Sequence, residues 1–307
     1  MKGQVIKSTG SWYEVKTESN VIFNSRLRGK FKMAGIKINN PIAVGDWVEI
    51  TEEEKGDESA VITKIHPRHN YIIRKSTRKT GYSHILAANV DQALLLATVT
   101  FPKTSLGFID RFLVSAESFR IPALVVFNKK DLLNDAGIAF CEELIAMYER
   151  IGYRGTLISV LDEEGIRELK GLLKNKTTLI AGHSGVGKST LLNLLVPDQI
   201  QKTGVVSSYA NKGTHTTTFA EMFEMDESTK LIDTPGIKEL GLVDMDTSEI
   251  SHYFPEMRAY LGDCKFNNCL HTNEPGCQVL AAFKDEKIEA SRYHSYLSIL
   301  EDYDNRR

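Results

Sequence analysis

Cysteine is scarce in this chain: four in 307 residues, too few for a disulfide scaffold. Long apolar runs are missing, since none approaches the ~18 residues of a membrane span. The opening stretch, MKGQVIKSTGSWYEVK, lacks the apolar core and small-residue cleavage site of a secretion signal. Charge of one sign does not dominate either, because 38 basic residues meet 40 acidic ones for a net of −2. That balance argues against a uniformly basic coat for nucleic acid. Internal repeats and low-complexity segments are also absent. These absences lead to the expectation of a soluble cytoplasmic protein. What remains is ordinary globular composition, 42% hydrophobic and 25% charged, with 22 glycines and 8 prolines. At ~150 residues per domain the length suggests two domains or three small ones.

Overall neutrality hides an asymmetry. Residues 1–81 hold 15 basic and 9 acidic residues, a net of +6, which leaves −8 for the remainder. The basic segment contains five short β-rich runs (QVIKS, WYEVKT, NVIFNS, VGDWVEI, SAVITKIH) separated by glycine, asparagine and charge. Five such strands without helical periodicity predict a small barrel, of which the OB-fold is one kind. Within it Arg26, Arg28, Lys30 and Lys32 alternate with apolar residues or glycine. In extended chain they share one face, either a solvated strand or loop face or a nucleic-acid contact. Arg74-Lys75-Ser-Thr-Arg78-Lys79 reads as a polar linker, again a contact or simply solvated.

From about residue 85 the pattern becomes α/β. NVDQALLLATV (89–99) and ALVVFN (123–128) are continuous apolar runs, as in strands covered on both faces. TLIS (156–159), TTLIAG (177–182) and KLIDTPG (230–236) add strands. Helical spacing over 109–119 and 139–150, and after Gly187, completes a doubly wound, mostly parallel sheet. Beyond about 246 the pattern is helical, with Tyr293, Tyr296, Leu297 and Leu300 forming an i, i+3, i+4, i+7 packing stripe. The expected division is a barrel over 1–67, a nucleotide-binding domain over 68–245 and a helical domain over 246–307.

Gly182-His183-Ser184-Gly185-Val186-Gly187-Lys188-Ser189 has the phosphate-loop pattern, after an apolar strand and before a leucine-rich helix, with Thr190 next. Glycines let successive N–H groups converge on phosphate oxygens, and the helix N-terminus adds positive potential. Lys188 supplies a cation for the β/γ-phosphates, and Ser189 an oxygen for Mg²⁺. Asn128-Lys129-Lys130-Asp131 follows another apolar strand and reads as a guanine selector. An ionised Asp131 accepts hydrogen bonds from the guanine N1–H and 2-amino group. Adenine offers neither donor and leaves the carboxylate unpaired. The Lys129 stem covers a base face, Asn128 ties neighbouring loops, and Ser159-Val160 closes from the other side.

Asp233-Thr-Pro-Gly236 is D-x-x-G: Asp233 holds Mg²⁺ through water and the Gly236 N–H meets the γ-phosphate. Between the two motifs, Gly213-Thr-His-Thr-Thr-Thr218 offers a switch threonine, Thr217 ahead of Thr216 or Thr218. After D-x-x-G stands Ile237, which cannot orient a water. His215 is the nearest candidate for that catalytic duty, the other possibility being an idle loop histidine.

The selector lies ~50 residues ahead of the phosphate loop, whereas in ordinary GTPases it follows. Joined termini and a new opening preserve packing, so this is a circularly permuted GTPase domain. Near the C-terminus, Cys264, Cys269, His271 and Cys277 form a Cys₃His set suited to structural zinc, with reduced surface cysteines as the alternative. Cys141 reads as a small buried residue.

In this order, guanine selector, G-H-S-G-V-G-K-S, G-T-H-T-T-T and D-T-P-G, with a barrel before and Cys/Cys/His/Cys after, the whole chain resembles the RsgA (YjeQ/YloQ-type) family. These are bacterial GTPases of small-ribosomal-subunit biogenesis. The resemblance implies an OB-fold, a permuted GTPase domain and a helical zinc domain. It also implies GTP hydrolysis stimulated by the 30S subunit and its rRNA, late maturation of that subunit, and release afterwards. It supports His215 as catalytic and an apolar residue at Ile237. The expected molecule is a monomer with one zinc, with Mg²⁺ accompanying GTP, and without membrane attachment. Rival readings are an ATP-using P-loop enzyme, an RNA-binding module with a vestigial nucleotide site, and a GTPase of the large subunit.

Overall fold

The computed structural model describes residues 1–28, 40–53, 58–75, 83–197, 220–234 and 245–304. Five strands open the chain: β1 (Lys2–Ser8), β2 (Tyr13–Thr17), β3 (Ile22–Leu27), β4 (Trp47–Glu52) and β5 (Ser59–Ile65). They pair in the order β1-β2-β3-β5-β4, and β4 returns to β1, which closes a barrel. Only β3–β5 is parallel. This is the connectivity of an OB-fold. Alternate residues point inward, so Val5, Val15, Phe23, Val48, Ile50 and Ile62 form its core.

A hairpin of β6 (Tyr71–Lys75) and β7 (Ser83–Ala88) follows where the sequence suggested a polar linker. Its apolar residues explain the difference. Ile72 and Ala87 join the main core, while Ile73 and Ile85 pack with Ala43 and Ala88. A strand bridge between Val44 and Ala87 ties the hairpin to the barrel.

The central sheet is built from β8 (Gln92–Ala97), β9 (Ala123–Phe127), β10 (Arg154–Leu157), β11 (Thr177–Gly182), β12 (Glu221–Glu224) and β13 (Lys230–Asp233). Its spatial order is β10-β9-β8-β11-β13-β12, all parallel except β12. Helices α1 (Leu106–Ser118) and α2 (Asp135–Arg150) cover one face, α3 (Glu163–Leu173) and α4 (Lys188–Leu195) the other. Period-two geometry sends Leu95, Val125 and Leu179 to the first face and Leu94, Leu96, Val126 and Ile180 to the second. Cys141 lies buried in the first layer, where burial pushes its thiol up to about 11. Neither β12 nor α3 was anticipated. The barrel extends this sheet: β1 pairs with β12 at Lys7 and Glu221, whose side chains also form an ion pair of 3.0 Å. Lys230 Nζ donates to Gln4 Oε1 at 2.6 Å across the same junction.

The C-terminal region comprises a 3-10 turn (Thr247–Tyr253), α5 (Pro255–Arg258), α6 (Gln278–Lys284) and α7 (Ala290–Asp304). Tyr293, Tyr296 and Leu300 are buried in its core, as their spacing predicted, and Leu297 packs against it. Val114 of α1 belongs to the same core, so this region sits on the helical layer of the central sheet. The join carries a buried charge cluster. Arg292, fully buried, donates to Asp110 Oδ1 of α1 at 2.7 Å and to both Glu256 oxygens at 2.7 and 3.2 Å. Tyr148 Oη of α2 donates to the same Asp110 oxygen at 2.9 Å. Among the described residues no helix is long and apolar enough to cross a membrane.

Candidate functional site

The carboxyl ends of β8, β9, β10, β11 and β13 lie along one edge of the central sheet, the usual place for ligands in open α/β folds. Asn128 leaves the end of β9 almost wholly buried. Its Nδ2 donates to the carbonyl of Val186 at 2.8 Å, and its Oδ1 accepts from the N–H of Val160 at 3.2 Å. One side chain therefore joins the selector, the phosphate loop 58 residues further on, and the loop after β10. The two motifs written in inverted order meet in space. Gly187 shows why this approach is possible. A Cβ there would stand 2.4 Å from Asn128 Nδ2, and its φ of +102° lies in the region that favours glycine.

Asp131 is exposed at the mouth of this edge, and Ser159 Oγ donates to its Oδ1 at 2.5 Å. Lys130 N–H donates to the carbonyl of Ile158 at 3.1 Å, which fixes the selector against the β10 loop. Lys129 has a left-handed φ of +69°, and its ammonium donates to the Phe101 carbonyl at 2.8 Å. The aliphatic stem is thus laid across the edge. Sequence reasoning missed two apolar neighbours: Leu132 and Leu161, 63% and 78% exposed, directly follow Asp131 and Val160. Apolar side chains left open beside a polar selector are suited to the faces of a purine. Their signal lay only in position, since leucine after a turn is unremarkable in sequence.

Gly182, His183, Ser184, Gly185, Val186, Gly187, Lys188, Ser189 and Thr190 run from β11 into α4 as expected. Val186 is buried among the leucines of α4, an anchor that leaves neighbouring backbone groups outside. His183 lies against Phe108 of α1, ring centroids 3.8 Å apart. Lys188 Nζ and Asp233 Oδ1 form an ion pair, so the phosphate loop and D-x-x-G also converge. Gly236, Ile237, His215, Thr216, Thr217 and Thr218 lie outside the described residues.

At the C-terminal end, the donor atoms of Cys264, Cys269, His271 and Cys277 all lie within 4.8 Å of one another. The Cys264 and Cys277 sulfurs are 4.0 Å apart, and His271 Nδ1 is 3.6 and 3.4 Å from them. With Zn–S of ~2.3 Å and Zn–N of ~2.0 Å, tetrahedral ligands stand roughly 3.5–3.8 Å apart. The donor set therefore fits one tetrahedral metal ion. Burial pushes the Cys269 thiol up to about 12, raises that of Cys277, and lowers His271. A cation that replaces the thiol protons relieves this cost. The loop is held from outside: Tyr293 and Tyr296 donate to the carbonyls of His271 and Leu270, both at 2.7 Å. Glu274 accepts from the N–H groups of Leu270, Thr272 and Asn273.

Of the four alternating cations, Arg26 and Arg28 are exposed on the barrel, Arg26 in an ion pair with Glu53 at 2.5 Å. Lys30 and Lys32 lie outside the described residues, as do Arg78 and Lys79.

Comparison with known proteins follows the same lines. A family model described as RsgA GTPase matches residues 65–243, and one described as RsgA N-terminal domain matches residues 2–62. The chain is 52% identical over 307 residues to a protein of Cytophaga hutchinsonii named small ribosomal subunit biogenesis GTPase RsgA, covering 100% of both. Among solved structures it is similar to YjeQ from Thermotoga maritima, with TM-score 0.77 and 34% identity, covering 100% of this chain and 99% of that one. It is also similar to YloQ, titled a circularly permuted GTPase, with TM-score 0.75 and 29% identity, covering 100% and 96%.

Proposed function

The chain belongs to the RsgA GTPase family, and from that premise we propose that its GTP hydrolysis serves late maturation of the small ribosomal subunit. The subunit stimulates hydrolysis, and hydrolysis times departure from it. The observation that carries the reading is the Asn128 side chain, which bonds to the phosphate loop and to the Val160 loop at once. A purine triphosphate laid along this edge reaches the selector with its base and Lys188 with its phosphates.

Asp131 accepts the guanine N1–H and 2-amino hydrogens, while the Lys129 stem and Leu161 cover the faces of the ring. Lys130, Ser159 and Val160 shape the base end. Backbone N–H groups from His183 to Ser189 cradle the phosphates, Thr190 extends the first helical turn, and Gly236 meets the γ-phosphate. Ser189 and Thr217 would hold a magnesium ion and Asp233 one of its waters, and the ion would supply positive charge to offset that of the phosphates. His215 orients the attacking water, in place of a glutamine at the position that Ile237 occupies. Cys264, Cys269, His271 and Cys277 would hold one zinc ion, which would fix the shape of the C-terminal region, and Arg26, Arg28, Lys30 and Lys32 meet rRNA phosphates. The same reading divides the chain at 67 and 245 and makes it a cytoplasmic monomer.

Hydrolysis of GTP measured alone, with purified small subunits and with large subunits tests the proposal. Stimulation by small subunits only is expected, lost in His215→Ala. Equal rates under all three conditions would refute the ribosomal role, and an unchanged His215→Ala rate would remove that residue from the mechanism.

A further inference from the structure

The opposite edge of the central sheet, where its strands begin, carries a cavity of about 530 Å³. The length of a six-residue strand, at ~3.3 Å per residue, puts it roughly 15–20 Å from the nucleotide loops. It opens between the end of α1, the end of α3 and the first residues of β9 and β10. Volumes of this size hold small ligands.

Three cations line it: Arg120, Arg154 and Lys176. They are not equivalent. Lys176 Nζ is committed to Gln92 Oε1 at 2.9 Å and to the Leu172 carbonyl at 3.3 Å, where it caps α3. Arg120 and Arg154 are exposed, and neither guanidinium has a hydrogen bond or ion pair among the described residues. The single acidic residue in the wall, Glu117, is already paired with Arg258. The cavity therefore presents two unspent guanidinium forks, and its one carboxylate is engaged by Arg258. One stretch of the wall is apolar, from Ile121, Pro122 and Leu124, and the amide of Gln92 and the buried Tyr153 complete it.

Two arginines beside an apolar wall suit a phosphate joined to an organic body, because each planar guanidinium can take two phosphate oxygens. We propose that this cavity binds a phosphate ester, with Arg120 and Arg154 on the phosphate and the apolar wall against the organic part. The site is independent of the guanine reading. A free nucleotide and a segment of single-stranded RNA share this chemistry.

The test uses the full-length protein with saturating GDP, which fills the guanine site, and two adenine probes that the selector rejects. AMP represents the free ester and hexameric oligoadenylate RNA the single strand. Wild-type protein is expected to bind at least one probe, and Arg120→Ala/Arg154→Ala to bind it at least tenfold more weakly, with GDP affinity and basal turnover unchanged. AMP alone identifies a free ester as the ligand, the oligonucleotide alone an RNA segment. In the RNA arm the log–log salt slope should fall by about 1.4 in magnitude, at ~0.7 per lost contact. Should the double variant fold poorly, Arg154→Glu alone, at an exposed strand start, gives the same readout. Binding of neither probe, or equal binding by wild type and variant, overturns the proposal. GDP affinity, measured separately, reports on the guanine site.

Discussion

Replacing Asn128 by alanine removes a side chain that joins three loops of the nucleotide edge. The change leaves the Val186 carbonyl and the Val160 N–H without partners. A buried backbone group left unpaired costs ~1–3 kcal/mol. Val160 is only half-buried, so water can reach part of the gap, and the two losses together come to about 2–4 kcal/mol. In a domain of this size ~1 kcal/mol moves Tm by ~2–4 °C, so the variant without nucleotide should melt about 4–16 °C lower if the whole loss falls on stability. Any part that falls on the arrangement of the loops appears as weaker GDP binding, tenfold for each ~1.4 kcal/mol. Asn128→Asp sharpens the test. It keeps an acceptor for Val160 but sets a carboxylate against the Val186 carbonyl, so it should be worse than alanine. Thermal melting and GDP titration of the three proteins read both quantities. Alanine within 1 °C and twofold of wild type would refute the reasoning, as would an aspartate variant better than alanine.

Two further outcomes follow from the C-terminal region. Arg292→Ala strands the carboxylates of Asp110 and Glu256 in a buried site and should cost ~3–5 kcal/mol in urea unfolding. The neutral triple change Asp110→Asn/Glu256→Gln/Arg292→Met should recover most of that, and a single-variant cost below ~1 kcal/mol would contradict the cluster's role. Removing metal with a chelator, or replacing Cys277 by serine, should lower the melting temperature and abolish a stoichiometry of one metal ion per chain. Unchanged melting of metal-free protein would show that the Cys₃His loop folds without it.

The parts legible in sequence were those whose physics is local. The phosphate loop, the selector and D-x-x-G each need fixed residue types within eight positions, and the Cys₃His set lies within fourteen. Continuous apolar runs marked β8, β9 and β11 because strands covered on both faces leave no polar alternation. The β6–β7 hairpin was hidden by its charged surroundings, since its isoleucines are few and their partners lie in the barrel and the first core layer. Arg292 looks like any surface arginine, and its partner Asp110 is 182 residues away. Tyr293 and Tyr296 were legible as packing residues, but their hydroxyl contacts to the metal loop depend on tertiary approach. The apolar walls at Leu132 and Leu161 became visible only once their exposure beside the selector was known.

Nucleotide selectivity of Asp131→Asn is the most direct test that the inverted motifs read one guanine nucleotide. The amide keeps an acceptor for one guanine donor and sets its NH₂ against the other, so two charge-assisted bonds of ~1.5–3 kcal/mol each are lost or weakened. GTP should then bind at least ~100-fold more weakly, at ~1.4 kcal/mol per tenfold. Xanthosine triphosphate, with a carbonyl where guanine carries its amino group, should become the better substrate. A variant that hydrolyses GTP with unchanged kcat/KM and ignores xanthosine triphosphate would contradict the account.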